Sequence, residues 1–487
     1  MLSARRFVVC AACALLCGIG CRGSHSVRDP EFEPLAGFSA ATDETIQTVA
    51  AAEMPTDPQF AGPHGVDEYV AYALDQNPRI QAKRKLVEAS ALRVPQAASL
   101  EDPTVGVMGY PFFPNVPQTA SGRMTADLVV SQKIPFIGKL DAQAQMADAE
   151  ADVTRAQLAA AEWEVVEQVK RAYYELYYLQ QAIAITTKSR GLAVDISRVA
   201  EAKYRTATVS QQDLLRAELE VANIDGELIR LRQELQSSQA RLARLLHISP
   251  DTPVRALDEL PSDDVPKDLQ ALYDQAIAAR PELHMELAGI RKERIAADLA
   301  RLQYYPDVTL SFGWGGMTTE KALAPTADGI DNLSIGAMIN VPLYRSRLDA
   351  GVREGEARTV MKAREYDNLR DQTQEEVKDL FVRAQSEQEL LKLFEREIIP
   401  KAEQTLNVSI PAYEVKQIDF LQLIDNWRSL LRFQISEARL RAQLRQSIAS
   451  LERVVAGLPP AVVRTPQDAG HMPPAPGEQQ LRDPSAK

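Results

Sequence analysis

Two periodicities alternate along the chain. From Leu214 to Leu245 the apolar or small positions Leu214, Ala217, Val221, Ile224, Leu228, Leu231, Leu235, Ser238, Leu242 and Leu245 step by three and four, with Glu, Arg and Gln between them. This heptad seam predicts a long amphipathic helix lying along other helices. Val377, Leu380, Ala384, Leu391, Phe394 and Ile398 continue the habit later in the chain. Elsewhere the period drops to two. Val308, Leu310, Phe312 and Trp314 alternate with Thr309, Ser311 and Gly313, and Leu333, Ile335, Ala337, Ile339 and Val341 alternate with Ser334, Gly336, Met338 and Asn340. One apolar face and one small or polar face is the pattern of a membrane β-strand; the alternative is a pair of hairpins in a small soluble sheet. An earlier stretch is noisier, with Leu128, Val130 and Ile134 on one face and Asp127, Ser131 and Lys133 on the other. Pro, Gly, Asn and Thr in 112–122 and 315–332 predict the hairpin loops.

These patterns occur twice. Shifted by about 203 residues, Ala73-Leu74 with Asn77-Pro78 falls on Ala276-Ile277 with Arg280-Pro281. The same 25-residue spacing then leads from Pro78 to Pro103 and from Pro281 to Pro306. Ile134-Pro135-Phe136 with Leu140-Asp141 matches Val341-Pro342-Leu343 with Leu348-Asp349, and Tyr204–Leu215 matches Tyr413–Ile424. Landmarks in the same order at a nearly constant offset mark an internal duplication. Each unit reads helix, strand, loop, strand, long helix, turn, helix. The long helices, from Lys139 to about Lys203 and from Arg347 to about Tyr413, would each reach roughly 100 Å at ~1.5 Å per residue. The returning helices, 211–247 and 420–457, reach ~55 Å, and the opening ones, 66–92 and 269–302, ~40–50 Å. Pro95, Pro400 and Pro411 are expected to kink or end helices.

The ends differ in character. Arg5 and Arg6 precede an apolar run from Phe7 to Ile19, too short to span hydrocarbon but suited to a secretory signal. It leads to Gly18-Ile19-Gly20-Cys21, which resembles a lipoprotein lipobox and implies a covalent lipid on Cys21; an ordinary cleaved signal or a tether is the alternative. All four cysteines lie within residues 1–21, so export leaves no disulfide framework and no cysteine nucleophile. The domains expected are therefore a signal at 1–21, an extended lead at 22–65, a first repeat at 66–250, a linker at 251–268, a second repeat at 269–457 and a disordered tail at 458–487.

Charge and motifs exclude several classes. The net charge of −12 argues against nucleic acid as a partner. No apolar stretch after residue 21 is long enough for a membrane helix, so a spanning element must be a β-barrel. His25, His64, His247, His284 and His471 are scattered, with no metal-binding pair, and His247 suits a helix cap better than a metal. No nucleophile elbow, dinucleotide fingerprint or phosphate loop is present. No enzymatic activity, metal site or cofactor is expected, and energy for any transport must come from a partner.

The duplicated helix–hairpin–helix unit, the Pro-bounded strands and two turn motifs together resemble the TolC-type outer membrane efflux protein family, across roughly 66–457. The motifs are Tyr204, Ala207 and Asp213-Leu214-Leu215, then Tyr413, Lys416 and Gln422-Leu423-Ile424; Ala207 and Lys416 stand where the family has Gly, and Gln422 where it has Asp. Ile134-Pro135-Phe136-Ile137-Gly138-Lys139-Leu140 is similar to the heavy-metal efflux branch. The resemblance implies a mainly α fold with a membrane β-barrel: a homotrimer with one 12-stranded barrel on a twelve-helix periplasmic tunnel. The strand count agrees, because four strands cannot close a barrel, eight fill their own interior, and three chains leave room for a pore. It implies an outer-membrane channel of a tripartite efflux system, a passive exit duct for drugs, metal ions or other small molecules, anchored in outer-membrane lipid, with a periplasmic adaptor and an inner-membrane pump as partners. A type I protein-secretion channel is a variant of that reading. A periplasmic coiled-coil adaptor is the alternative of another class, but it would carry one hairpin between Gly-rich β halves. Asp425 falls on a tunnel-constriction position whose companion is Gln422; pairing of Asp425 with Arg428 is the plainer alternative. Tyr413 and Asp213 match tip-closing positions, with Ile418 replacing the usual Arg. The turns, with Ala207, Thr208 and Ser210 in one and Lys416, Gln417 and Asp419 in the other, are expected to dock the adaptor, or else to be plain exposed helix turns.

Overall fold

The computed structural model describes residues 60, 62–110, 117–206, 209–260, 265–320, 322–415 and 417–456. All of these fall in the compact unit Thr56–Lys487. Cys21, most of the 22–65 lead and the 458–487 tail lie outside the described residues.

The first copy runs β1 (Pro63–His64), α1 (Val66–Gln76), α2 (Pro78–Ala98), β2 (Thr104–Gly109), β3 (Gln118–Thr119), β4 (Gly122–Ile134), α3 (Lys139–Arg205) and α4 (Gln211–Leu246). After β5 (Arg255–Ala256), the second copy runs α5 (Leu269–Ala279), α6 (Pro281–Leu302), β6 (Val308–Thr318), β7 (Asn332–Ile339), α7 (Arg345–Leu393), a π turn (Phe394–Ile398), α8 (Ile399–Glu414) and α9 (Phe420–Val455).

Each opening segment, expected as one helix, is two. The breaks fall at Asn77-Pro78 and Arg280-Pro281, where Asn77 and Arg280 are extended with ψ near 120°. A proline ring forces the residue before it out of the helical region, and Pro itself then starts the next helix. Asn77 finishes the break by accepting from Arg79 N and donating Nδ2 to Leu245 O at 2.8 Å. The second long helix is also interrupted, unlike the unbroken 67-residue α3. Pro400 lacks an N–H and its ring crowds the carbonyl four residues back, and the wider π turn just before it makes room. Pro95 and Pro411 sit inside α2 and α8, each of which continues for three more residues.

The main path of the sheet is β2-β4-β6-β7, all antiparallel. Its registers line up in rows. Val105, Val130, Phe312 and Ile335 face one another across the four strands, as do Val107, Leu128, Trp314 and Leu333. The alternate rows are small or polar except at Val129: Thr104, Ser131, Ser311 and Gly336, and Gly106, Val129, Gly313 and Ser334. In the apolar rows Phe312 is 48% exposed and Ile335 89%, so this face is uncovered in a single chain. β6 runs on to Thr318, taking 315–318 from the expected loop. β7 stops at Ile339, short of the expected Val341, because Asn340 N turns to Asp307 O and Pro342 follows.

The strand–helix junctions of the two copies meet. Lys139, 3% exposed, donates Nζ to Asp307 Oδ1 at 2.7 Å and to Tyr305 O at 3.0 Å. Phe136 stacks on Tyr305 with centroids 4.4 Å apart. Gly138 makes the corner into α3 at φ 91°, a conformation open to glycine. Midway along α3, Tyr173, Tyr174, Leu176 and Tyr177 build the largest core with Tyr69, Leu242, Leu246 and Val254. Tyr173 Oη donates to His64 O and accepts from Leu257 N, and Tyr69 Oη donates to Arg255 O, each at 3.1 Å. These bonds pin the short parallel β1–β5 pair. The 251–268 linker is thus partly core, with Val254 and Ala256 fully buried. Among the described residues no helix is long and apolar enough to cross a membrane.

Candidate functional site: the tip of the helical hairpins

At the end of the helices farthest along the chain from the sheet, α3 turns into α4 and α8 into α9. The heptad seam of α4 is buried or half-buried throughout; Leu231, Leu242 and Leu245 join the larger core, while Ala217, Ile224 and Leu228 enter a second core with Ala193, Ile196, Leu406, Tyr413, Phe420, Leu423 and Trp427, among others, of α3, α8 and α9. Each returning helix is started by a side chain. Ser210 Oγ accepts from Asp213 N at 3.2 Å, and Asp419 Oδ1 accepts from Gln422 N at 2.7 Å. Both satisfy amides that a helix start leaves open. Of the expected docking residues, then, Ser210 and Asp419 are helix caps as well as tip positions. Gln417 is exposed, and Ala207, Thr208 and Lys416 lie outside the described residues.

Asp213 and Tyr413 are brought together. They line one cleft with Lys203, Arg216, Ile418 and Asp419. Tyr413 is 5% exposed, its ring 5.8 Å from that of Phe420, and its Oη has no hydrogen-bond partner among the described residues. Burial, and then the Asp213 carboxylate, push the phenol above its ordinary pKa. Lys203, in the last turn of α3, was not singled out from sequence. Its Nζ donates to Tyr413 O at 2.6 Å and to Glu414 O at 3.1 Å, and it lies 4.2 Å from the centre of the Tyr413 ring. The turn motif begins at the next residue, Tyr204, so the spacing directs attention one position too late.

Gln422 and Asp425 are not part of this cleft. Both are exposed on α9, and the Asp425 side chain is 70% open. Arg428 reaches across to α4, donating Nε to Glu220 Oε1 at 3.0 Å and Nη2 to Oε2. Asp425 Oδ1 stands 3.9 Å from the other guanidinium nitrogen. The Arg428 charge is therefore held mainly by Glu220, which sequence reading also missed. Among the described residues no cluster of His, Cys, Asp and Glu is placed to hold a metal. His247 takes the left-handed C-cap of α4 at φ 57°.

Comparison with known proteins places this architecture. The chain is 22% identical over 425 residues to the cobalt-zinc-cadmium resistance protein CzcC of Cupriavidus metallidurans, covering 86% of this chain and 95% of that one. It is 24% identical over 306 residues to nodulation protein T of Rhizobium leguminosarum bv. viciae, covering 59% of each. The fold superposes on the outer membrane protein VceC of Vibrio cholerae with a TM-score of 0.67, at 21% identity, covering 80% of this chain and 96% of that one. It superposes on CusC with a TM-score of 0.68, at 17% identity, covering 82% and 93%. The sequence model of the outer membrane efflux proteins matches 70–246 and 272–457, one match to each copy of the unit, so the chain belongs to the outer membrane efflux protein family and is an outer-membrane efflux channel.

Proposed function

We propose that the protein is the exit duct of a tripartite efflux system, working as a lipid-anchored homotrimer that receives its cargo from a periplasmic adaptor and an inner-membrane pump. The observation that carries this reading is the sheet. β2 and β7 end its main path, so each has one edge unpaired among the described residues, and alternate rows are apolar across all four strands. Open edges in hydrocarbon are prohibitively costly, and joining β7 of one copy to β2 of the next removes them. Three copies make twelve strands around a lumen lined by the small, polar rows.

The duct itself performs no chemical step, and its selectivity rests on charge at the tip. Asp425 repeated around a three-fold axis attracts cations. Together with the name of the CzcC relative, this supports divalent metal ions as one class of cargo. The turns 206–210 and 415–419 are the adaptor contacts: cysteine at Gln417 is expected to crosslink to the adaptor, and cysteine at Thr326 is not. Two measurements test the whole reading. Crosslinking in isolated membranes should give a trimer, and a strain lacking the protein should lose resistance to cobalt, zinc or cadmium. Monomer alone sinks the assembly, and unchanged resistance to all three sinks the cargo.

A further inference from the structure

We propose that Lys203 is the latch that holds the α8–α9 hairpin against the α3–α4 hairpin at the tip. This rests on the reading of the tip as the closed end of the duct. The Lys203 ammonium, carried by the first copy, makes two hydrogen bonds to the second, at 2.6 Å to Tyr413 O and 3.1 Å to Glu414 O. These carbonyls belong to the last two residues of α8, the negative end of that helix dipole, where a cation is most favourable. The same ammonium lies 4.2 Å from the centre of the Tyr413 ring, a cation–π contact.

The other side chains of the cleft do not substitute for it. Tyr413 Oη makes no hydrogen bond among the described residues, and Ile418 is apolar. Asp213 lines the cleft beside Tyr413 but makes no hydrogen bond to its Oη. Among the described residues the next polar link between the two hairpins is Arg428 to Glu220, set back from the turns, and the remaining contact across them is the apolar core. The latch is also one-sided. Aligning Tyr204 with Tyr413 puts Ala412 opposite Lys203, and alanine cannot return the contact. Tyr204 is 41% exposed where Tyr413 is 5%. Because the acceptors are backbone carbonyls, no substitution at Tyr413 or Glu414 removes them; the lysine is the part that can be removed.

The test uses the full chain purified in detergent, with spin labels on Gln212→Cys and Gln417→Cys at the exposed ends of the two hairpins, together with single-channel recording. Lys203→Met should broaden the interlabel distance distribution and raise the open fraction about tenfold or more, the scale of one lost charge-assisted hydrogen bond. Lys203→Arg should restore most of the wild-type behaviour, and Lys401→Met, which removes an exposed lysine elsewhere on α8, should change neither reading. A folded Lys203→Met protein with an unchanged distribution and unchanged conductance overturns the latch and leaves Lys203 a helix cap. If neither the wild type nor Lys203→Met conducts while Lys203→Met still broadens the distances, the latch stands and the channel reading falls. Should Lys203→Met fail to fold, Lys203→Cys paired with Glu414→Cys decides: oxidised protein should stay quiet and reduced protein should conduct, and equal currents overturn the proposal.

Discussion

Lys139 Nζ lies 2.7 Å from Asp307 Oδ1, although the two residues come from different copies of the repeated unit. Their side chains are 4% and 15% exposed, so the pair is largely dry. Removing one partner strands the other charge. Lys139→Met should cost about 3–5 kcal/mol, and pairing it with Asp307→Leu should recover much of the loss. Thermal unfolding followed by circular dichroism in detergent checks the ordering; a double variant as weak as the single one contradicts it.

The strand rows make a sided prediction. Phe312→Arg or Ile335→Arg should each destabilise the barrel by about 2–4 kcal/mol if the position lies near the bilayer midplane. Ser311→Arg and Ser334→Arg, on the alternate face, should cost much less and change conductance instead. Equal loss of folded protein from both sets would mean that the sheet does not face lipid.

Asp425→Ala should lower cation selectivity and weaken block by multivalent cations added from the tip side, in planar bilayers. Arg428 remains held by Glu220 in this variant, so the helix should keep its place. Unchanged selectivity would make Asp425 a surface charge.

Alkaline pH probes the tyrosine core. Burial pushes Tyr69 and Tyr174 up to about 12, whereas the unfolded phenols ionise near pH ~10. The fold keeps protons that the unfolded chain releases, so this contribution is complete below pH ~10 and falls as pH rises towards ~12. The melting temperature should drop across that window, and less steeply in Tyr174→Phe. A parallel decline in both proteins would remove Tyr174 from the account.

Cys21→Ser should abolish lipid attachment while leaving the barrel able to fold, since the strands carry their own apolar face. Palmitate labelling that persists in the variant refutes the anchor.

Much of this fold was legible because its spacing is periodic. The strand alternation, the α4 seam and the twice-repeated 25-residue proline spacing each follow from geometry that a sequence must obey locally. What escaped depends on partners far along the chain or on backbone detail. Lys203 meets an acceptor 210 residues away, and Glu220 meets Arg428 at a separation of 208. Nothing in the local pattern around Lys203 distinguishes it from a solvated lysine. The breaks before Pro78 and Pro281 were visible as landmarks of the repeat, yet the apolar periodicity carried the helix reading across them. At the tip, sequence pointed to Asp213 and Tyr413 and the fold does bring them to one cleft, but the bonds across it are made by a neighbour.

A ring assembled from single units would have identical seams, so any fastening would have to be everywhere or nowhere. Fusing two copies in one chain removes that constraint. Tyr413 is packed away while its counterpart Tyr204 stays in the open, so the two repeats differ at matching positions. One hairpin is then free to serve as a fixed jamb and the other as the door, with both encoded by the same ancestral fold.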